Sequence, residues 1–200
     1  MQKHLTPQVL VVEGSQEQGK MSTIRFETKL FTIGSWSILR LPENASAQLP
    51  SRGQTMVEGT INGLHFQTPL EPDGRWSHWF RVDKAMREAA GIDEGDTVTL
   101  EIEPTKAWPE PDVPADVKSA LAAAPEASSL WQQITPMARW EWMRWIRSTS
   151  QTETRKRRIE GACSKLKAGE RRPCCWNRNL CTEPSVSRNG VLLEPTPTTE

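Results

Sequence analysis

Four cysteines, three histidines and one run of four consecutive cations are the residues of this 200-residue chain whose types and spacing raise a question of chemistry. Thiolate metal sites want C-x2-4-C pairs, so that two sulfurs reach one ion. Here Cys174 and Cys175 are adjacent, Cys181 follows them and Cys163 is remote, so no metal centre is expected. A redox role at Cys174 and Cys175 has more support, because Arg171 and Arg172 close by favour the reactive thiolate. The plainer reading packs both thiols against Trp176. Cys163 shares a helical face with Ile159, Ala162 and Leu166, at i, i+3, i+4 and i+7, and reads as core.

The cationic run is Arg155-Lys156-Arg157-Arg158, with Arg144, Arg147, Lys165, Lys167, Arg171 and Arg172 in the same segment. Basic side chains among tryptophans are the composition that tracks a phosphate backbone and stacks bases. Arg155, Lys156, Arg158, Arg171 and Arg172 are therefore the nucleic-acid-binding candidates. Against this, four consecutive helical residues point all round the helix, so some of them must face the protein. Trp142, Trp145 and Ile146 also share a face that suits a core. Of the histidines, His78 falls in an alternating apolar set with Trp76 and Phe80 and reads as an interior histidine. No Ser or Cys nucleophile is expected beside it or His65. The chain has no G-x-S-x-G, P-loop, G-x-G-x-x-G or H-E-x-x-H. It offers no specific reason to be an enzyme, and no cofactor is expected.

Formal charge is zero overall, yet it is divided. Residues Ile24 to Glu103 carry 8 Lys/Arg against 12 Asp/Glu, whereas Arg139 to Arg178 carry 12 against 4. Such asymmetry fits an acidic or nucleic-acid partner, or two units resting on each other through opposite charge. No apolar run approaches the ~20 residues of a membrane span, and Val9 to Val12 is too short for a signal peptide. The expectation is a cytoplasmic protein with reduced cysteines.

The elements that must position these residues change period along the chain. Residues 1–21 lack pattern and read as a disordered lead, with Met21 a possible alternative start. From Ile24 the alternation is that of half-buried strands. Asn62-Gly63 marks a hairpin, Asp83 and Gly91 bracket a short helix, and Val98, Leu100 and Ile102 form a last strand before Pro104. About six strands and one short helix over 22–104 predict a small barrel. Pro104, Pro109, Pro111 and Pro114 make 105–114 an extended linker. Helical spacing then covers 115–177. Thr135-Pro136 starts one helix, and Ser150 to Glu153 forms the capping box of the next. Residues 178–200 lose pattern and read as a disordered tail. The fold class is α+β, a barrel followed by a three- to four-helix unit.

The helical half resembles the bacteriocin-protection family called YdeI or OmpD-associated. The residues that carry the resemblance are Trp131, Ile134-Thr135-Pro136, Arg139, Trp145-Ile146, Glu153-Thr154-Arg155, Arg158-Ile159 and Arg171 to Trp176. The barrel is similar to the domain of unknown function that often precedes it, through Gly59 to Gly63, Ala90-Gly91-Ile92 and Gly95 to Val98. The family usually has a lysine where this chain has Ser150, so a role for that amine does not carry over. The resemblance implies a split barrel and a bacterial cytosolic setting, with Thr135, Pro136, Arg139, Trp145, Glu153 and Arg155 as motif positions. Three functions follow: a non-enzymatic binding or stress-protection protein, a nucleic-acid regulator, or a thiol-dependent activity at Cys174 and Cys175. The partner, protein or nucleic acid, is open.

Overall fold

Asn62 and Gly63, at φ 48° and 87°, turn β4 (Thr55–Ile61) straight back into β5 (Leu64–Pro72). Both turn positions need positive φ, which asparagine and glycine tolerate best. The structure, a computed structural model, describes residues 22–149, 151–173, 186–188 and 190–195.

Around this hairpin the chain builds one antiparallel sheet in the order β1-β7-β4-β5-β6-β3-β2. Its other strands are β1 (Ile24–Lys29), β2 (Phe31–Ile33), β3 (Trp36–Arg40), β6 (His78–Val82) and β7 (Thr97–Pro104). The two edge strands, β1 and β2, are consecutive in sequence and joined through Leu30. The sheet must therefore curl until its edges meet. Leu30 N–H donates to Asp96 O at 2.9 Å and Thr28 Oγ1 to Arg40 O at 2.6 Å, holding the curl together. The product is a seven-stranded half-barrel. The expected first strand ends at this bend, and β2, which falls in no expected strand, makes seven strands instead of six.

Inward-facing alternate residues, among them Phe26, Leu39, Val57, Phe66, Leu70, Phe80, Leu100 and Ile102, form the half-barrel core. A short helix α1 (Glu43–Ser46) lies between β3 and β4. In α2 (Lys84–Ala90), Asp83 accepts from Met86 N–H at 2.8 Å and Gly91 ends the helix at φ 62°. Trp76 departs from its expected place in the alternating set. It sits in the turn before β6 at φ 73° and is 73% exposed.

Four helices follow: α3 (Ala115–Ala122), α4 (Pro125–Gln133), α5 (Pro136–Arg147) and α6 (Thr152–Lys167). Val117, Leu121, Ala127, Ile134, Ala138, Trp142, Met143, Ile146, Ile159, Ala162 and Leu166 give this unit a core of its own. Pro125 begins α4 at its first turn, where a missing N–H costs nothing. The capping residue of α6 is Gln151, one place later than the expected capping box, so Glu153 is the helix's second residue. Ser150 lies outside the described residues.

The proline segment between the units is tied down on both sides. Thr105 N–H donates to Met56 O at 2.9 Å and Gln67 Nε2 to Ala107 O at 2.9 Å, both on the half-barrel side. Trp140 Nε1 donates to Pro109 O at 2.8 Å and Arg147 Nη2 to Asp112 O at 2.9 Å, both from α5. The described part of the expected tail is also ordered into a hairpin, β8 (Ser187–Arg188) and β9 (Val191–Leu192). Val186 and Leu192 bury against Ile33, Ile38 and Trp79 on the outer face of the half-barrel. Leu192 N–H donates to Asp73 O at 2.8 Å.

Gly59 on β4 lies hard against β7: a Cβ there would lie 1.9 Å from Glu101 O. Backbone on both sides cannot yield as a side chain does. Gly59→Ala is expected to cost about 2–3 kcal/mol of stability through overpacking. Urea unfolding followed by tryptophan fluorescence measures it.

Candidate functional site

Helix α5 presents two faces. Thr135 caps it, accepting from Ala138 N–H at 3.3 Å, and Pro136 fills its first turn. Ala138, Trp142, Met143 and Ile146 turn into the helical core. Trp140, Arg144 and Arg147, at i, i+4 and i+7, form the opposite face and look toward the half-barrel. There they meet Trp36 at the start of β3, Gln54 before β4, Thr68 and Glu71 on β5, and Trp79 and Arg81 on β6. Glu71 and Trp79 are cross-strand partners, so the carboxylate and the indole enter the same place. These side chains line a half-open cavity of about 230 Å³ between the two units.

Its walls are aromatic. Trp36 and Trp79 are 6.4 Å apart between ring centroids, tilted by 48°, and the Arg81 guanidinium lies 4.6 Å above the Trp36 ring. Trp140 packs on Trp108 at 6.4 Å. The charges are three guanidiniums, Arg81, Arg144 and Arg147, against one carboxylate, Glu71. Arg144 Nε is 2.8 Å from Glu71 Oε2, and both side chains are mostly buried. Gln54 Nε2 donates to Glu71 Oε1 at 2.5 Å. Gln54 Oε1, itself buried, has no hydrogen-bond partner among the described residues. Burial pushes the Glu71 carboxyl up from its ordinary value of 4.5, while Arg144, Gln54 and Arg147 pull against that rise. An apolar cleft with a few convergent polar groups and one perturbed carboxyl is the usual form of a small-molecule site.

Residues 110–169 match the family described as Bacteriocin-protection, YdeI or OmpD-Associated, and residues 23–102 match the Domain of unknown function (DUF1905). A search of curated proteins returns no match. The cleft is therefore walled by one side chain set from each of the two matched regions.

The YdeI/OmpD-associated motif residues lie mostly at helix ends. Arg139 donates to the carbonyls of Trp131 (3.0 Å), Gln132 (3.2 Å) and Ile134 (2.9 Å), and pairs with Glu110, closing the C-terminus of α4. Arg158 donates to Trp145 O at 2.7 Å and Ser148 Oγ at 2.5 Å, closing that of α5, and lies 5.8 Å over the Trp145 ring. Trp145 stands edge-on to Trp142. Arg155 grips Asp116 with two bonds of 2.9 and 3.0 Å, and that bonding holds the Asp116 carboxyl below its ordinary range. Arg171 donates to Gln133 O at 3.2 Å and Arg172 to Glu141 at 3.4 Å. Lys156, Arg157 and Glu153 are exposed. Of the nucleic-acid candidates, four are thus engaged within the chain and Lys156 faces solvent. Cys163 is partly buried in the helical core, and burial pushes its thiol up. Cys174 and Cys175 lie outside the described residues. Among the described residues no cluster of three potential metal ligands occurs, and no helix is long and apolar enough to cross a membrane.

Sequence reasoning missed the cleft, whose only local signal was the i, i+4, i+7 set on α5. It also expected no nucleophile near a histidine, whereas the fold sets Ser46 Oγ 2.7 Å from His78 Nδ1. Both residues are fully buried, and His78 Nε2 faces Gly53 O at 2.9 Å. Both ring nitrogens have partners inside the core, so the pair serves to satisfy buried groups. Burial lowers the His78 pKa from 6.5.

Two pH dependences follow with opposite sign. The Glu71 carboxyl is raised, so its contribution is complete below 4.5 and is lost as pH rises through the folded value. The stability of wild type relative to Glu71→Gln is expected to shrink from pH 4.5 toward pH 8. His78 is lowered, so its contribution is complete above 6.5 and is lost as pH falls through the folded value. His78→Gln should flatten the acid side of the profile below pH 6.5. Urea titrations of the three proteins across this range check both.

Proposed function

We propose that the protein is a non-enzymatic binding protein whose small ligand occupies the cleft between the half-barrel and α5. Its role would be the bacteriocin-protection-related one that the family name suggests. One observation carries the reading: three indoles and three guanidiniums from residues far apart in sequence converge on one half-open cleft, with a mostly buried carboxylate inside it. Stability alone does not call for that arrangement. A part-buried ion pair seldom stabilises more than apolar side chains of equal size would. A ligand that binds only the folded chain raises its unfolding temperature by mass action. In thermal denaturation against a fragment set of ring compounds, charged and neutral, at least one is expected to stabilise wild type. The same compound should leave Trp140→Ala and Arg147→Ala unshifted. Equal shifts in all three proteins, or none in any, would remove the cleft as the binding site.

A second reading, nucleic-acid regulation through α6, now draws its support from the solvent-facing Lys156 and Arg157. It expects salt-sensitive binding of labelled DNA or RNA that falls at least tenfold in Lys156→Glu plus Arg157→Glu. An undiminished affinity in that double variant would end it.

A further inference from the structure

The cleft's ligand is definable further than its position, on the footing that the cleft is a binding site. We propose that it takes a single-ring aromatic carboxylate, which replaces Glu71 on Arg144 while Glu71 takes up a proton from solvent.

Size and shape come first. A volume of about 230 Å³ corresponds to about eight water molecules, at ~30 Å³ each. That accommodates one ring with a small substituent. Trp36, Trp79 and Trp140 offer flat faces, and Trp36 already carries the planar guanidinium of Arg81 at 4.6 Å. A planar group is what such walls select.

Charge fixes the second half of the ligand. The charged groups acting on Glu71 are Arg144 and Arg147 from α5, with Arg81 from β6 on the cleft wall; Gln54, before β4, is the neutral polar neighbour. With Glu71 ionised, the cleft still holds two positive charges in excess of its one negative. A carboxylate is the group the site already accommodates, because Glu71 places one 2.8 Å from Arg144 Nε. Arginine's planar fork is matched to that geometry. A ligand carboxylate therefore competes with Glu71 for a partner in place.

Once the ligand carboxylate holds Arg144, Glu71 has lost its ion-pair partner in a mostly buried site, which favours its neutral form. The proton balance is simple: the ligand enters as an anion, Glu71 leaves Arg144 and binds one proton from solvent, and no covalent bond changes. Gln54 is placed to receive the product. Its buried Oε1 has no donor among the described residues while Glu71 is ionised. A protonated Glu71 supplies an O–H to that oxygen once the amide rotates. Burial, which already raises the Glu71 carboxyl, lowers the cost of this step.

The test is calorimetric titration of the full chain with benzoate, benzyl alcohol and inorganic phosphate, at pH 8 in two buffers of different ionisation enthalpy, and benzoate again from pH 6 to 8. Wild type is expected to bind benzoate at least tenfold more tightly than either comparison ligand, with uptake of about one proton per site. Its benzoate affinity should fall by up to about tenfold per pH unit on the alkaline side. Glu71→Gln should bind benzoate at least as well, without proton uptake and without that pH dependence. Benzoate binding with no proton uptake, an unchanged pH profile in Glu71→Gln, or equal affinity for phosphate would overturn the inference. Benzyl alcohol binding that equals benzoate and is lost in Trp140→Ala would overturn it while leaving the cleft reading in place. Benzoate binding indifferent to Trp140→Ala would overturn both. Failure of all three ligands, with another fragment stabilising the chain through Trp140, would overturn only the ligand class.

Discussion

The ion pair of Glu71 on β5 with Arg144 on α5 ties the two halves of this molecule together at the cleft. Each half has a core of its own, with no buried residue in common. What joins them is a seam of polar and aromatic side chains, and this pair sits in its most enclosed part. Removing one partner of such a pair leaves a charge in a poor solvent, at a cost of about 3–5 kcal/mol when burial is complete. Replacing both with apolar groups is close to neutral. The pair therefore constrains geometry more than it adds stability, and its constraint is the cleft.

The rest of the structure supports that geometry. The proline segment is stitched to β4 and β5 on one side and to Trp140 and Arg147 on the other, so it spaces the two halves while fixing their separation. The β8–β9 hairpin buttresses Trp79 from the outer face of the half-barrel, through Val186 and Leu192. At the far end of α5, Arg158 holds the carbonyl of Trp145 and the hydroxyl of Ser148. The motif positions of the YdeI/OmpD-associated family thus largely place α5, and α5 places Trp140, Arg144 and Arg147.

The half-barrel was legible in the sequence because its information is local. Strand alternation, Asn62-Gly63, the Asp83 cap and Gly91 each act within a few residues, and each appears in the fold as expected. The cleft was illegible for the opposite reason. Its residues lie at positions 36, 54, 71, 79, 81, 140, 144 and 147, and each has an ordinary local explanation. Arg144 and Arg147 counted as basic charge, Trp140 as part of an apolar helix, and Glu71 as one acid among twelve. Only the curl of the sheet and the anchored linker bring them together. Trp76 in left-handed backbone and the two-residue strands of the terminal hairpin were hidden for a related cause. Tertiary contacts made by Arg52 and Asp73 hold them, and no propensity signals them. The opposite charges of the halves did find each other at Glu71 and Arg144, while Arg155, Lys165, Lys167 and Arg172 pair with acids of the helical unit.

The central claim is that the seam between the halves is a binding site, and the indoles report on it directly. The chain has nine tryptophans, so a nitrogen-15 correlation spectrum resolves their indole N–H signals individually. Titration with benzoate is predicted to shift the signals of Trp36, Trp79 and Trp140 together, with one saturation curve. Trp142, which donates to Arg171 O inside the helical core, should stay in place. Shifts at Trp76 or Trp142 that leave those three unmoved would contradict the account.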